Sequence, residues 1–333
     1  MRGRGDARAS AHGMRPGRSR SVVLPQRLQA TAAIVALACT AAPALADSST
    51  SRLAAYYDRQ LAICGGDAYA WSGRSRPVLA VRGVAAVGVG RDTNYALGKD
   101  GRLRAWRGDP GEASVVLDRV AAFAAGDSGV LAIRDDRSLW HVPASGTRLG
   151  RSAPAPVQVA VNATAASVGD GTDYYVAGDG SLFARGNAHR GQFGTGRLER
   201  SDDWVRVAGS VADVKSHTGH ALLLTDRGEV QGTGGNIYGP LGRHGLGDRA
   251  VTWGPLFADA AGIATGASHS AAVRADGSLW IWGRDESPDP RKAMDGVAGV
   301  AAGADVTVAL ARDGSLWQWR TGQRPAQVFA CPP

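Results

Sequence analysis

Residues 263–283 read I-A-T-G-A-S-H-S-A-A-V-R-A-D-G-S-L-W-I-W-G, and residues 300–319 repeat the pattern as V-A-A-G-A-D-V-T-V-A-L-A-R-D-G-S-L-W-Q-W. Each copy has small residues ending in glycine, an alternating apolar run, an Asp-Gly pair and L-W-x-W. An Asp-Gly pair between apolar runs predicts a tight hairpin, because glycine accepts the positive φ of such turns. Trp280 and Trp282 share one face of the second strand. The other face is apolar too, which is typical of a sheet packed between other sheets.

The pattern recurs along most of the chain. Its seven copies, anchored on the residue that ends the hairpin turn, lie at Gly66, Gly101, Arg137, Gly180, Gly228, Gly277 and Gly314, with separations of 35, 36, 43, 48, 49 and 37 residues. These periods are typical of propeller blades. Each copy offers four apolar segments, named A to D in chain order, and the small residues of segment A suit the crowded centre of a ring. The sequence therefore predicts an all-β, seven-bladed β-propeller of four-stranded antiparallel blades over residues 51–333.

The first 46 residues predict a secretory signal peptide. Seven arginines precede an apolar run at residues 30–42, and A-L-A stands just before Asp47. The apolar run is too short for a permanent membrane anchor, so none is expected. Residues 47–50 form a short lead-in, and translation starts at either Met1 or Met14. The predicted location is secreted or periplasmic, with periplasm and medium both open.

Charge argues against a nucleic-acid partner. The full chain has a formal net charge of +8, but residues 1–46 contain 7 of its 38 basic and 1 of its 30 acidic residues. The rest has 31 basic and 29 acidic residues, a net charge of +2. Such a balance gives no strong electrostatic footprint for phosphates. The expected partner is therefore a protein of unknown identity, bound by a monomer.

One loop makes the repeat more specific. Residues 186–196 read G-N-A-H-R-G-Q-F-G-T-G, and residues 235–242 read G-N-I-Y-G-P-L-G. Together with the A-A-G, H-S and D-G-S-L-W-x-W-G segments, this loop resembles the RCC1 repeat. The loop of that family contains G-Q-L-G, and in the second match Pro240 stands in place of the glutamine. The resemblance covers nearly all of residues 51–333, although copies two, three, six and seven lack the loop. It implies a seven-bladed propeller that binds other proteins, of a divergent, exported bacterial type similar to the secreted β-lactamase-inhibitory protein II.

Two cysteines remain outside the predicted signal peptide. Cys64 ends strand B of copy one, and Cys331 follows strand D of copy seven. Strands B and D end on the same rim, and a closed ring makes the seventh blade the neighbour of the first. Closure therefore predicts a Cys64–Cys331 disulfide, as exported proteins commonly contain, with two free thiols as the alternative.

Alternating strand direction places the A–B and C–D loops on one rim. Tyrosine and arginine, which anchor many protein interfaces, collect there. The predicted binding residues are Tyr56, Tyr57, Arg91, Tyr174, His189, Arg190, Tyr238 and His244. The alternative is that several rim aromatics pack inward, Tyr95 and Phe193 especially.

Three histidines give an alternative prediction of the function. His217, His220 and His244 could form the metal site of a hydrolase or lyase, although no H-x-x-x-H or H-E-x-x-H spacing supports it. His220 and His269 occupy the repeat's own histidine position at the start of strand B, where a structural hydrogen bond is expected. Without a nucleophile or phosphate-loop motif, the sequence predicts a binding protein with no enzymatic activity and no cofactor.

Overall fold

The computed structural model describes residues 51–144, 154–242 and 247–331. Within them the chain forms seven four-stranded antiparallel sheets. The first three are β1–β4 (Leu53–Tyr56, Arg59–Cys64, Asp67–Ser72, Val78–Val81), β5–β8 (Val84–Val89, Asn94–Gly98, Leu103–Trp106, Ser114–Leu117) and β9–β12 (Val120–Gly126, Gly129–Arg134, Leu139–Pro143, Val157–Ala160). A short 3-10 helix, Pro110–Glu112, precedes β8.

The last four sheets are built in the same way. They are β13–β16 (Ala163–Val168, Thr172–Ala177, Leu182–Gly186, Ser201–Ala208), β17–β20 (Val211–Ser216, His220–Thr225, Val230–Gly235, Arg249–Phe257), β21–β24 (Ala260–Thr265, His269–Arg274, Leu279–Gly283, Arg291–Met294) and β25–β28 (Val297–Ala302, Val306–Ala311, Ser315–Arg320, Ala326–Ala330). Each sheet is a meander in chain order. The predicted seven-bladed β-propeller is confirmed, and every blade comes from one contiguous segment.

The D-G-S-L-W motif has a local chemical basis at the B–C turn. The Asp276 carboxylate accepts hydrogen bonds from the Ser278 N–H and hydroxyl, both at 2.7 Å, while Gly277 has φ +88°. The Ser278 hydroxyl in turn accepts the indole N–H of Trp280 at 3.0 Å. The same aspartate, serine and tryptophan bonds form at 136–140 and 313–317. The motif therefore fixes the turn and the first tryptophan of strand C together.

The second tryptophan of strand C joins neighbouring blades. Trp282 is 0% exposed, and its indole N–H donates to the Pro240 carbonyl oxygen at 2.7 Å. Pro240 belongs to the C–D loop of blade 5, so this loop is pinned to blade 6. Leu222 and Leu241 of blade 5 complete the same hydrophobic cluster. The blade interfaces are thus filled by side chains that the repeat supplies at fixed positions.

The inner end of strand A is too crowded for side chains in most blades. A methyl group added to the glycine there would lie 2.4–2.9 Å from a carbonyl oxygen of the next blade, at Gly90, Gly126, Gly169, Gly266 and Gly303. A real Cβ atom does not approach a carbonyl oxygen so closely, so only glycine fits. The strands so packed line a central cavity of about 180 Å³. This close approach sets the spacing of the ring.

The ring closes between blades 7 and 1. The backbone N–H of Ala304 donates to the Tyr57 carbonyl oxygen at 3.4 Å, and Gln318 bridges to Trp71 and Gly73 through its amide. The predicted Cys64–Cys331 disulfide is confirmed, with 5.1 Å between the two Cα atoms. Among the described strands none is exchanged between blades 1 and 7, so these backbone, side-chain and covalent links hold the closure.

Removing the disulfide should lower the free energy of unfolding substantially. The bridge closes 267 residues, for which the chain-entropy model gives about 5 kcal/mol. We expect the Cys64→Ser, Cys331→Ser double variant to lose up to that amount in denaturant unfolding, and reduced wild-type protein to match it. Peptide mapping of the denatured, unreduced protein provides the direct check. A free thiol at either cysteine contradicts the bridge.

Candidate functional site

One rim of the propeller carries the loops that follow strands A and C, here named the A–B/C–D rim. Its A–B loops are residues 57–58, 90–93, 127–128, 169–171, 217–219, 266–268 and 303–305. Its described C–D loop residues are 73–77, 107–113, 144, 154–156, 187–200, 236–242, 247–248, 284–290 and 321–325. The A–B loops lie around the mouth of the central cavity, and the C–D loops lie outside them.

Two blades have a residue other than glycine at the mouth of the cavity. Tyr57 in blade 1 and His217 in blade 5 occupy the position that is glycine in the other five. The Tyr56 ring stacks on the His217 ring with centroids 5.1 Å apart, and Tyr57 meets the same imidazole edge-on at 6.0 Å. Blades 1 and 5 are not neighbours, so these rings meet across the channel. An aromatic plug therefore covers this end of the cavity.

Charged residues follow the glycine in blades 2 to 4. They are Arg91, Asp127 and Asp170. The Arg91 guanidinium lies 3.3 Å from one Asp127 oxygen, and the Tyr56 hydroxyl donates to the other. Burial, together with a hydrogen bond and repulsion from the Asp170 carboxyl, raises the pKa of Asp127 to about 6. The mouth is thus a connected polar cluster on the side of blades 2 to 4.

Blades 5 to 7 have small residues at the corresponding positions, Thr218, Ala267 and Ala304. Above them lies a groove of about 500 Å³, here named the rim groove, whose outer wall comes from C–D loops. Ile237 and Tyr238 stand on this wall, 63% and 53% exposed. Five charged residues also line the groove: Arg190, Arg284, Asp285, Asp305 and Arg320. The volume of the groove is in the range of ligand-binding clefts.

The structure divides the predicted binding residues into three groups. Exposed on the A–B/C–D rim are Tyr57, Arg91, His189, Arg190 and Tyr238. Tyr56 is buried in the plug at the mouth, and His244 lies outside the described residues. As the alternative expected, Tyr95 and Phe193 are buried. The rim groove adds Ile237, Arg284 and Arg320, which the sequence did not single out.

The placement of Tyr174 on the rim needs correction. Strand B of blade 4 begins at Thr172, so Tyr174 is the third residue of a strand rather than part of the A–B loop. Its ring is completely buried, and its hydroxyl donates to the Gln192 carbonyl oxygen at 2.8 Å. The C–D loop folds back over the ring and removes it from the surface. Tyr174 is therefore a core residue.

The repeat's histidines link neighbouring blades. His220 Nε2 lies 3.1 Å from the Ser270 hydroxyl, and His269 Nε2 lies 2.9 Å from the Thr307 hydroxyl. Each histidine starts strand B of one blade, and each hydroxyl is the second residue of strand B in the next. The expected structural hydrogen bonds are confirmed. Burial lowers the pKa of His220 to about 3 and that of His269 to about 4, so both imidazoles are neutral at pH 7.

The described residues do not form the geometry of the metal site that was the alternative prediction. His217 Nδ1 lies 2.6 Å from the Thr218 hydroxyl, and its pKa is lowered to about 4, mainly by burial. Residues 51–144, 154–242 and 247–331 contain no group of three or more His, Cys, Asp or Glu able to hold a metal ion. The third predicted ligand, His244, lies outside them. In the same residues no helix has the length and apolarity to cross a membrane.

Comparison with known proteins agrees with the repeat pattern. Residues 261–287 match the family model described as Regulator of chromosome condensation (RCC1) repeat. The human RCC1-like G exchanging factor-like protein is 35% identical over 123 residues, which cover 32% of this chain and 25% of that protein. The chain is a seven-bladed β-propeller that is similar to RCC1-repeat proteins over part of its length. The matched part spans only a quarter of this curated relative.

Solved structures show the same fold over most of the chain. Yeast RCC1 (Prp20), in a structure with Kap60, superposes with a TM-score of 0.70 at 17% identity, covering 93% of this chain and 91% of that one. Prp20p from Saccharomyces cerevisiae, described with its binding properties to Gsp1p and histones, gives 0.65 at 15% identity, covering 77% and 81%. Identities this low establish the fold alone.

Acid should destabilise the propeller through its buried histidines. His269 has a folded-state pKa of about 4, against about 6.5 when unfolded, so the unfolded chain binds the proton first as pH falls. From pH 7 to pH 5 this linkage costs about 2 kcal/mol. We expect wild type to lose about that much more stability than His269→Gln over this range, measured by urea unfolding. Asp127, whose pKa is raised, acts in the opposite sense in both proteins.

The matched control is His189→Gln, which removes an exposed rim histidine and should keep the wild-type pH profile. Parallel profiles for wild type and His269→Gln would contradict the assignment of a neutral, buried imidazole to the interface between blades 6 and 7.

Proposed function

We propose that this chain is an exported, non-enzymatic scaffold that binds another protein through the A–B/C–D rim. The observation that carries the proposal is the exposure of large side chains on this rim. Tyr57 is 46% exposed, and Ile237 and Tyr238 are more exposed still. Arg91, His189 and Arg190 stand among them. Tyrosine and arginine on one connected surface are the residue types that dominate interface energetics.

Rigid placement of these side chains supports the proposal. Tyr57 packs edge-on against Tyr56 at 4.9 Å and borders His217, and the Arg284 guanidinium lies 5.0 Å from the centre of the Tyr238 ring. Side chains already held in one orientation lose less conformational entropy when a partner covers them. The rim thus combines exposure with order, as a binding surface requires.

Protein binding is the general property that we carry over from the similar proteins. The yeast RCC1 structures concern that protein with Kap60, Gsp1p and histones. Their partners are not assigned to this chain, whose partner is a protein of unknown identity. The perturbed groups at the mouth, Asp127 and His217, are held by hydrogen bonds and ring stacking, which supports a structural role rather than catalysis.

Export is part of the proposal and rests on two features. The arginine-rich start followed by an apolar run and A-L-A is typical of a secretory signal. The Cys64–Cys331 disulfide suits an oxidising compartment. We therefore propose a secreted or periplasmic location for this chain, of the exported type that resembles the secreted β-lactamase-inhibitory protein II.

Substitutions on the rim should weaken partner binding, whereas a substitution in the core should lower stability. We expect Tyr57→Ala and Tyr238→Ala each to weaken partner binding by more than about 1 kcal/mol with little loss of stability, because both side chains are exposed. Trp282→Ala, which empties a buried site between blades, should instead cost about 3 to 5 kcal/mol of stability. The partner is first recovered with the full chain from the envelope or medium of the source cells, identified by mass spectrometry, and titrated against each variant.

Circular dichroism in denaturant gives the stability of the same variants. Equal destabilisation by the two rim variants and Trp282→Ala would show that the rim tyrosines belong to the core. Undiminished partner affinity in both rim variants would remove the A–B/C–D rim as the binding surface.

A further inference from the structure

The charges that line the rim groove are unevenly paired. Arg284 Nε lies 3.4 Å from the carboxylate of Asp285, and the Arg320 guanidinium donates to the carboxylate of Asp305. Arg190 lines the same groove and forms no ion pair with any residue that the structure describes. Of the five charged side chains around the described groove, four therefore neutralise each other in pairs, and the positive charge of Arg190 is left over.

The side chain of Arg190 is held over the groove by the backbone beneath it. It crosses two glycines of blade 5: a methyl group added to Gly219 would lie 3.0 Å from Arg190 Cδ, and one added to Gly235 would lie 3.4 Å away. The Arg190 backbone N–H donates to the side-chain oxygen of Gln192 at 2.8 Å, and Gln192 is itself buried. The two glycines leave room for the exposed arginine side chain to lie across blade 5, and the buried glutamine fixes the backbone from which it extends.

This placement restricts what can cover the groove. A protein that packs against Tyr238 and Ile237 also removes Arg190 from water. A guanidinium buried without a counter-charge is strongly unfavourable, whereas a carboxylate can accept two parallel N–H bonds from it. The partner must therefore bring its own negative charge to this point, or bind without covering Arg190.

We propose that the protein partner inserts a carboxylate into the rim groove, where the Arg190 guanidinium binds it and Ile237 and Tyr238 pack against the adjoining apolar atoms. The inference rests on the proposed function, because it assigns a chemistry to the partner of the same rim. The carboxylate belongs either to an aspartate or glutamate side chain or to a chain terminus. Both present the same planar pair of oxygens.

Peptide display distinguishes these two sources. Random dodecapeptides are displayed in one library with a blocked carboxyl end and in another with a free carboxyl terminus, and both are selected on the full-length protein. We expect enrichment of aspartate and glutamate in the first library if the source is a side chain. Selection only in the second library, without acidic enrichment, would assign the site to a chain terminus. Either outcome supports the carboxylate.

Variants of Arg190 show whether the selected carboxylate binds there. Fluorescence anisotropy with a selected peptide should show at least a tenfold loss of affinity in Arg190→Gln. The matched control is Arg82→Gln, which removes an exposed arginine at the opposite rim and should leave affinity unchanged. Selection on Arg190→Glu should shift enrichment from acidic to basic residues, a change that a general structural defect does not produce.

The inference is overturned if neither library yields carboxylate-dependent peptides, or if Arg190→Gln binds them as wild type does. Its failure is distinct from failure of the proposed function. Loss of the recovered protein partner in Tyr57→Ala and Tyr238→Ala, with no effect of Arg190→Gln, would keep the rim as the binding surface and reject the carboxylate. No loss in any of the three variants would reject both.

Discussion

The structure depends on the contact between the inner end of each strand A and the next blade. At five of the seven positions only glycine fits, because a methyl group there would lie within 3 Å of a neighbouring carbonyl oxygen. Such an approach brings the seven A–B loops onto one small circle and aligns the outer strands for side-chain packing between blades. The arrangement of the A–B/C–D rim is thus a consequence of how tightly the backbone closes at the centre.

Replacement of two of these glycines makes the rim asymmetric. Tyr57 and His217 meet across the channel and cover it, so the mouth is no longer an opening. Around this plug, blades 2 to 4 carry charged residues that bond to one another, whereas blades 5 to 7 carry Thr218, Ala267 and Ala304. The small residues leave the rim groove open on one side only. A repeat with nearly equal blades can in this way present a single, directional site.

The sequence predicted the fold because its signals are local. An aspartate two residues before a serine and four before a tryptophan sets turn and strand within five residues, and the same signal recurs at blade spacing. Cys64 and Cys331 followed from strand direction and ring closure alone. The site was less predictable, since it depends on neighbours from other blades. Tyr174 looked like a loop residue until the start of its strand and the loop above it were known.

The residues of the rim groove could not be predicted from the sequence for the same reason. Arg284 and Arg320 belong to no repeated motif, and only the stacking of blades 5 to 7 brings them beside Tyr238. Comparing the residues just after W-x-W in each copy would have drawn attention to them. Arg190 was predicted as a rim residue, but that it has no acidic partner among the described residues could be seen only once the other four charges of the groove were placed.

Amide hydrogen exchange of the complex with the recovered partner tests the role of the A–B/C–D rim most directly. We expect slower exchange in the loops that follow strands A and C, above all at residues 57–58, 217–219 and 236–242, with unchanged exchange at the B–C turns on the opposite rim. Protection of those B–C turns or of the outer D strands, with none in the A–B and C–D loops, would contradict it.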